Sequence, residues 1–227
     1  MNDKKMIEAD KLASCIDQTI LKPDASLFDI DGFAAGFWKY HFLCACVNSC
    51  WIGYVRGHIP AGTKICSVVG FPLGACHDTV KMHEARELVA LGCDEIDMVM
   101  NIGRFRSGDY DYVGKEISAV VSAAEGRVVK VIIETCLLDE QEKESAARLV
   151  KESGAHFVKT STGFSTGGAT VEDVKLLRNA VGVDFGVKAS GGIRDHAFAC
   201  ALIKAGASRI GTSAGVAIMK EAWNREG

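Results

Sequence analysis

Eight short runs rich in β-branched and small apolar residues alternate with segments of helical spacing, and this alternation constrains the fold more than any single motif does. The runs lie near Leu12–Ile16, Phe42–Val47, Lys64–Val69, Glu95–Met100, Val128–Ile133, His156–Lys159, Asp184–Lys188 and Ser208–Gly211. Between them, Asp78–Leu91 sets Val80, Glu84, Leu88 and Leu91 at helical intervals, with Gly92 behind them as a C-cap. Asp139–Ser153 is charged on one side, carries Ala146, Leu149 and Val150 on the other, and ends at Gly154. Asp195–Ala205 opens on a capping aspartate, runs through Phe198, Leu202 and Ile203, and stops at Gly206. Strand, loop and helix recurring about every 30 residues predict βαβ units and a parallel sheet. At 227 residues, near the roughly 250 typical of such barrels, the reading is an α/β chain forming a single (β/α)8 barrel domain over 1–227. An open doubly wound sheet competes, but it would place a glycine-rich turn after its first strand, and Asp17–Thr19 offers none.

Charge and cysteine usage narrow the classes of function. The chain is 48% hydrophobic and 24% charged with three prolines, which suits a globule rather than a disordered segment. A formal net charge of -3 supplies no long-range field for nucleic acid, so any bound anion must be held by local groups. Met1 to Asp10 are charged and lack the apolar stretch of a signal peptide. The nine cysteines therefore read as free thiols in a reducing cytoplasm. No uncharged apolar stretch of membrane-spanning length is found. Neither nucleic acid nor membrane is an expected partner, and a two-fold homodimer is the common default assembly.

In a barrel of this kind, functional side chains sit at the C-terminal ends of strands and in the loops that follow. That rule selects Asp17, Asn48, Gly70–Gly74, Asp97–Asn101, Glu134, Lys159–Gly163, Lys188–Gly192 and Gly211–Ser213. Two lysines stand out because each ends an apolar run: F-V-K-T-S-T-G-F at Phe157–Phe164 and F-G-V-K-A-S-G-G-I-R at Phe185–Arg194. A lone lysine there would snorkel to solvent. Two on neighbouring strands, each followed by Ser or Thr and Gly, point instead to an amine nucleophile beside a second ammonium. At about 5 Å and an effective dielectric of about 20 the repulsion is about 3 kcal/mol, enough to bring a lysine from about 10.4 to about 8. The residues leave open which of the two is the nucleophile.

Glycines in Ser190–Arg194 and Arg209–Ser213 expose backbone N–H groups where many barrels hold a phosphate, and Asp195 starts a helix beside them. Asp97, in E-I-D-M-V-M-N, is an acid within an apolar strand and needs a cationic partner, for which a lysine is the candidate. Glu95 reads as outward-facing. The spacing of Cys44, Cys46 and Cys50 lacks the second ligand pair of a structural zinc site, so no metal is expected.

These segments carry a resemblance. I-D-Q-T-I-L-K-P at Ile16–Pro23, C-V-N at Cys46–Asn48, V-V-G-F-P-L-G at Val68–Gly74, E-I-D-M-V at Glu95–Val99, V-K-T-S-T-G-F, V-K-A-S-G-G-I-R and R-I-G-T-S follow one another in order. Together they resemble the deoxyribose-phosphate aldolase family over nearly the whole chain. The resemblance implies a class I aldolase that reversibly cleaves 2-deoxy-D-ribose 5-phosphate to D-glyceraldehyde 3-phosphate and acetaldehyde, in deoxyribose phosphate catabolism, with no metal or organic cofactor. It implies Lys159 as the Schiff-base lysine, Lys188 as the lysine that tunes it, and Asp97 as the acid that moves protons with Lys188 and a water. Asp17, Cys46 and Thr162 match substrate-pocket positions; Gly163, Gly191, Gly192, Gly211 and Ser213 match phosphate-binding ones.

Four departures from the family pattern are visible. Ala214 stands where some members have serine, Gln18 where histidine is common, Ser49 where proline is common, and the sequence ends Trp223–Gly227 without the terminal tyrosine relay of certain members. Rival readings are an isomerase or synthase barrel whose lysines only bind anions, and a non-catalytic sugar-phosphate binder.

Overall fold

Side chains on a strand point alternately to opposite faces, and in this chain the two faces differ in kind. A computed structural model describes residues 8–226; most of the charged opening Met1–Asp10, and the final Gly227, lie outside them. Eight strands run in parallel: β1 Ile16–Ile20, β2 Cys44–Val47, β3 Lys64–Val69, β4 Glu95–Val99, β5 Val128–Ile132, β6 Phe157–Lys159, β7 Gly186–Ser190 and β8 Arg209–Thr212. They pair in sequence order and close, with β8 bonded back to β1. Helices alternate with them: α1 Ala9–Ala13, α2 Leu27–Tyr40, α3 Ile52–Arg56, α4 Asp78–Ala90, α5 Ile102–Arg106, α6 Tyr110–Ala123, α7 Glu140–Glu152, α8 Val171–Val181, α9 His196–Lys204 and α10 Gly215–Glu226. This is a closed (β/α)8 barrel.

The outward faces form the main core. Ile65, Ile96, Met98, Val131, Val158 and Ile210 are fully buried and pack against the helices, each burial being worth roughly 1.5–3 kcal/mol. Helix starts follow the side chains: Ser26 with Asp29, and Asp139 with Glu142, form capping boxes on α2 and α7, and Asp195 caps α9 through Phe198 N–H at 2.8 Å. No helix of the described residues is long and apolar enough to cross a membrane.

The first predicted strand is a correction. Leu12 and Ala13 belong to helix α1, and the strand begins where the prediction ended, at Ile16. Ala9, Leu12 and Ala13 are buried at the i, i+3, i+4 spacing of a helix. The real strand, I-D-Q-T-I, does not look apolar because its inner face meets charge and its outer face carries Gln18. Gln18 accepts from Gly215 N–H at 3.0 Å and donates to the Ser213 carbonyl at 3.3 Å, tying β1 to the turn before α10. The seventh strand starts two residues late, at Gly186, where an added Cβ would lie 2.2 Å from the Phe157 ring. The missing side chain at 186 leaves the lower end of the barrel to Phe157, over which Arg209 stacks at 5.8 Å.

Candidate active site

The inner face of the barrel is charged. Parity brings Asp17, Glu95, Asp97, Lys130, Lys159, Lys188 and Arg209 inward, and each is at least nine-tenths buried. Asp97 is the hub. Its Oδ1 accepts from Lys130 Nζ at 2.8 Å and from the Cys66 thiol at 3.2 Å. Its Oδ2 lies 2.7 Å from both Lys159 Nζ and Lys188 Nζ. Register explains this, since Lys159 and Lys188 are direct partners on β6 and β7, as Asp97 and Lys130 are on β4 and β5. Lys188 also reaches Asp17 at 2.5 Å. One layer lower, Arg209 forks between Asp17 at 2.5 Å and Glu95 at 2.9 Å, and Lys130 meets Glu95 at 2.7 Å.

Burial alone would push the Asp97 carboxyl up, but Lys130, Lys159 and Lys188 outweigh it and hold the group well below the usual carboxylate range. Burial would likewise strip the proton from Lys188, yet Asp17 and Asp97 hold it above the ordinary lysine range. The pair of lysines is therefore not two bare ammoniums repelling each other, as the sequence alone suggested; a carboxylate oxygen sits between them. Glu95 corrects its outward reading: it is 1% exposed, and although burial opposes its charge, Lys130 and Arg209 bring it down to about 2. Parity required this, because Glu95 and Asp97 are two residues apart on one strand. A depressed folded-state pKa contributes stability that is fully present above the unfolded value near 4.5 and is lost as pH falls through about 2. Urea midpoints are expected to be level near pH 7 and to fall between about pH 4.5 and pH 2, with a shallower fall in Glu95→Gln. An equal slope in that variant would assign the acid lability elsewhere.

Above the charged layers a cleft of about 740 Å³ opens at the C-terminal ends of β1, β6, β7 and β8. Lys159 lines it and is 3% exposed; Lys188 and Asp97 are fully buried beneath and do not line it. Thr162, Gly163, Gly191, Gly192, Gly211 and Ser213 all line the same cleft. Asp17 and Cys46, expected in the substrate pocket, lie below it instead, both fully buried. Asp17 is held down by Arg209 and Lys188; Cys46 packs with Cys44, Cys66 and Leu21 as a small apolar cluster inside the barrel. Gly211 has a packing reason besides its place in the lining, since an added Cβ would lie 3.0 Å from both Lys188 Cε and Ser190 Cβ. Ala214, where some family members have serine, has its own N–H bonded to Thr212 Oγ1 at 2.9 Å.

Lys130 and Arg209 were missed. The signal for Lys130 was as strong as that for Asp97, a charge inside the apolar run V-V-K-V-I. Arg209 opens its strand and gave no such sign. Arg194, Lys22 and Lys220 also line the cleft, adding positive charge around the glycine loops and the first turns of α10.

A closed parallel barrel whose mouth holds a glycine-lined cleft, with a lysine amine on its floor bonded to a buried carboxylate, defines the class of barrel aldolases. The chain belongs to the DeoC/LacD family of aldolases, whose family model matches residues 12–225. It is 53% identical over 211 residues to a deoxyribose-phosphate aldolase of Streptococcus pneumoniae serotype 19F (strain G54), covering 92% of this chain and 96% of that one. It is 52% identical over 218 residues to a deoxyribose-phosphate aldolase of Thermoanaerobacter sp. (strain X514), covering 94% and 97%. Among solved structures, QR15, an aldolase, superposes with a TM-score of 0.91 at 40% identity over 95% of this chain and 97% of that one. The deoxyribose phosphate aldolase of Aeropyrum pernix, a tetramer, gives 0.86 at 35% identity over 94% and 91%.

Proposed function

We propose that the chain cleaves 2-deoxy-D-ribose 5-phosphate reversibly to D-glyceraldehyde 3-phosphate and acetaldehyde through a Schiff base on Lys159, serving deoxyribose phosphate catabolism in the cytoplasm. One observation carries the choice of nucleophile: of the two partnered lysines, Lys159 lines the cleft and Lys188 is sealed beneath it. Charge counting supports it. Among the buried groups, Asp17, Glu95 and Asp97 face Lys130, Lys188 and Arg209, which already balance them, and the exposed Lys64 also lies 3.3 Å from Glu95; Lys159 is the surplus buried cation.

The amine adds to the C1 aldehyde and water leaves, giving an iminium whose positive charge faces Asp97 Oδ2. When the C2–C3 bond breaks, its electron pair passes to C2 and into the iminium as an enamine, while the C3 hydroxyl gives up its proton and becomes the aldehyde of the departing triose phosphate. The Asp97 carboxylate, through a water that the Lys188 ammonium orients, takes that proton, and the same relay returns one to C2; hydrolysis then frees acetaldehyde and the lysine. Gly163, Gly191, Gly192, Gly211 and Ser213 hold the phosphate, so that binding at C5 orients the bond cleaved two carbons away. The nine free thiols suit a reducing compartment.

Borohydride with acetaldehyde is expected to trap an ethyl adduct on Lys159, read by peptide mass spectrometry. No adduct, or one on Lys188 alone, would sink the assignment.

A further inference from the structure

Strand β5 leaves the barrel through a bulge. Ile132 is the register partner of Lys159, and the next N–H in step, that of Ile133, donates to the Lys159 carbonyl at 3.0 Å. Two residues on, Thr135 N–H donates to the Thr160 carbonyl at 2.9 Å, an advance of one residue on β6 where a regular parallel ladder advances by two. Glu134 is the extra residue. Its backbone lies in the left-handed region at φ 52 and ψ 70, a costly conformation for a residue with a Cβ. Among the described residues, the other non-glycine positions of positive φ, His41 and Glu125, are exposed, whereas Glu134 is 2% exposed.

A bulge beside a functional site re-aims a side chain, and here it turns the Glu134 carboxylate onto the loop that follows Lys159. Oε2 accepts the Thr162 N–H at 3.2 Å and the Thr162 hydroxyl at 2.5 Å. The same hydroxyl oxygen accepts the Phe164 N–H at 3.1 Å. Thr162 is thereby fastened on both sides, and Gly163, at φ +84, stands between two pinned residues and packs beside Gly191, whose Cα lies 3.9 Å from where a Gly163 Cβ would sit. The carboxylate itself stays out of that cleft. It lines a separate hollow of about 100 Å³ with Pro72, Ile102 and Leu137, and Thr162 and Phe164 form the wall between the two.

We propose that Glu134 is a positioning residue that sets the 162–164 loop as one side of the anion cradle, and so the preference for a phosphorylated over an unphosphorylated substrate. This rests on reading the cleft as the seat of a sugar phosphate. Thr162, with both of its donors committed to Glu134, stands between that carboxyl group and the cleft.

Two readouts test it. By calorimetry with inorganic phosphate, Glu134→Ala and Thr162→Val are each expected to bind about tenfold more weakly than the parent, with little further loss in the double variant. Thr162→Ser, which keeps the donor, recovers phosphate affinity relative to Thr162→Val. In steady-state kinetics of Glu134→Ala, the loss in kcat/KM on 2-deoxyribose 5-phosphate exceeds the loss on 2-deoxyribose by about fivefold or more, mostly through KM. Unchanged phosphate affinity in Glu134→Ala, or equal losses on both sugars, overturns the inference. A parent chain that traps acetaldehyde on Lys159 while Glu134→Ala keeps its phosphate affinity removes this inference and leaves the lyase reading standing. Loss of phosphate affinity in a chain that traps nothing removes the lyase reading and supports the cradle.

Discussion

Lys159→Met is expected to reduce cleavage of 2-deoxy-D-ribose 5-phosphate by at least about 10⁴-fold while leaving the urea midpoint close to that of the parent. The two halves of this result have separate causes. Activity falls because Lys159 is the cleft-lining amine bonded to Asp97: Lys22 and Lys220 line the cleft without that contact, and Lys188, which has it, is fully buried, bonded also to Asp17, and held in its charged form. Stability holds because methionine keeps the apolar stem and removes the cation that the cluster does not need. Asp17, Glu95 and Asp97 still face Lys130, Lys188 and Arg209, and Asp97 keeps its contacts of 2.8 Å and 2.7 Å to Lys130 and Lys188. Turnover above about 1% of the parent's, a level far outside that expected loss, would place the nucleophile elsewhere.

Asp97→Asn changes the other end of the same 2.7 Å contact and is expected to behave differently. Three lysines converge on this carboxylate, and removing its charge leaves Asp17 and Glu95 to answer four buried cations. Breaking a buried ion network from one side typically costs about 3–5 kcal/mol. The urea midpoint should therefore fall strongly, and turnover should fall by about 10²–10⁴-fold from the lost proton transfer and the lost partner of the iminium. The double variant Lys159→Met with Asp97→Asn is expected to recover part of the stability and none of the activity, because one uncompensated cation has gone. If Asp97→Asn were as stable as Lys159→Met, the charge balance proposed for the cluster would be wrong.

Legibility in the sequence tracked local physics. The helices at 78–90, 140–152 and 196–204 were readable because caps, apolar spacing and a following glycine agree. Strand β1 was misplaced because a strand with a charged inner face carries no apolar alternation, while the helix before it does. Glu95 and Lys130 were present in the same patterns that disclosed Asp97, and the parity of β4 alone would have turned Glu95 inward. Glu134 could be selected as a residue following a strand, but its bulge exists only in the pairing of β5 with β6, which local spacing does not encode.

The linear chain determined a repeating unit of strand and helix, the lysines that end two strands, and the glycine loops, since each depends on neighbours within a few residues. Only the closed barrel decided that Lys159 stands in the cleft and Lys188 beneath it, that Asp97 Oδ2 is shared between them, and that Asp17 and Cys46 lie below the pocket. The physical reason is that the stagger of eight closed strands sets the height of each inward side chain along the barrel. Which amine meets solvent, and which meets only carboxylates, is a property of that height.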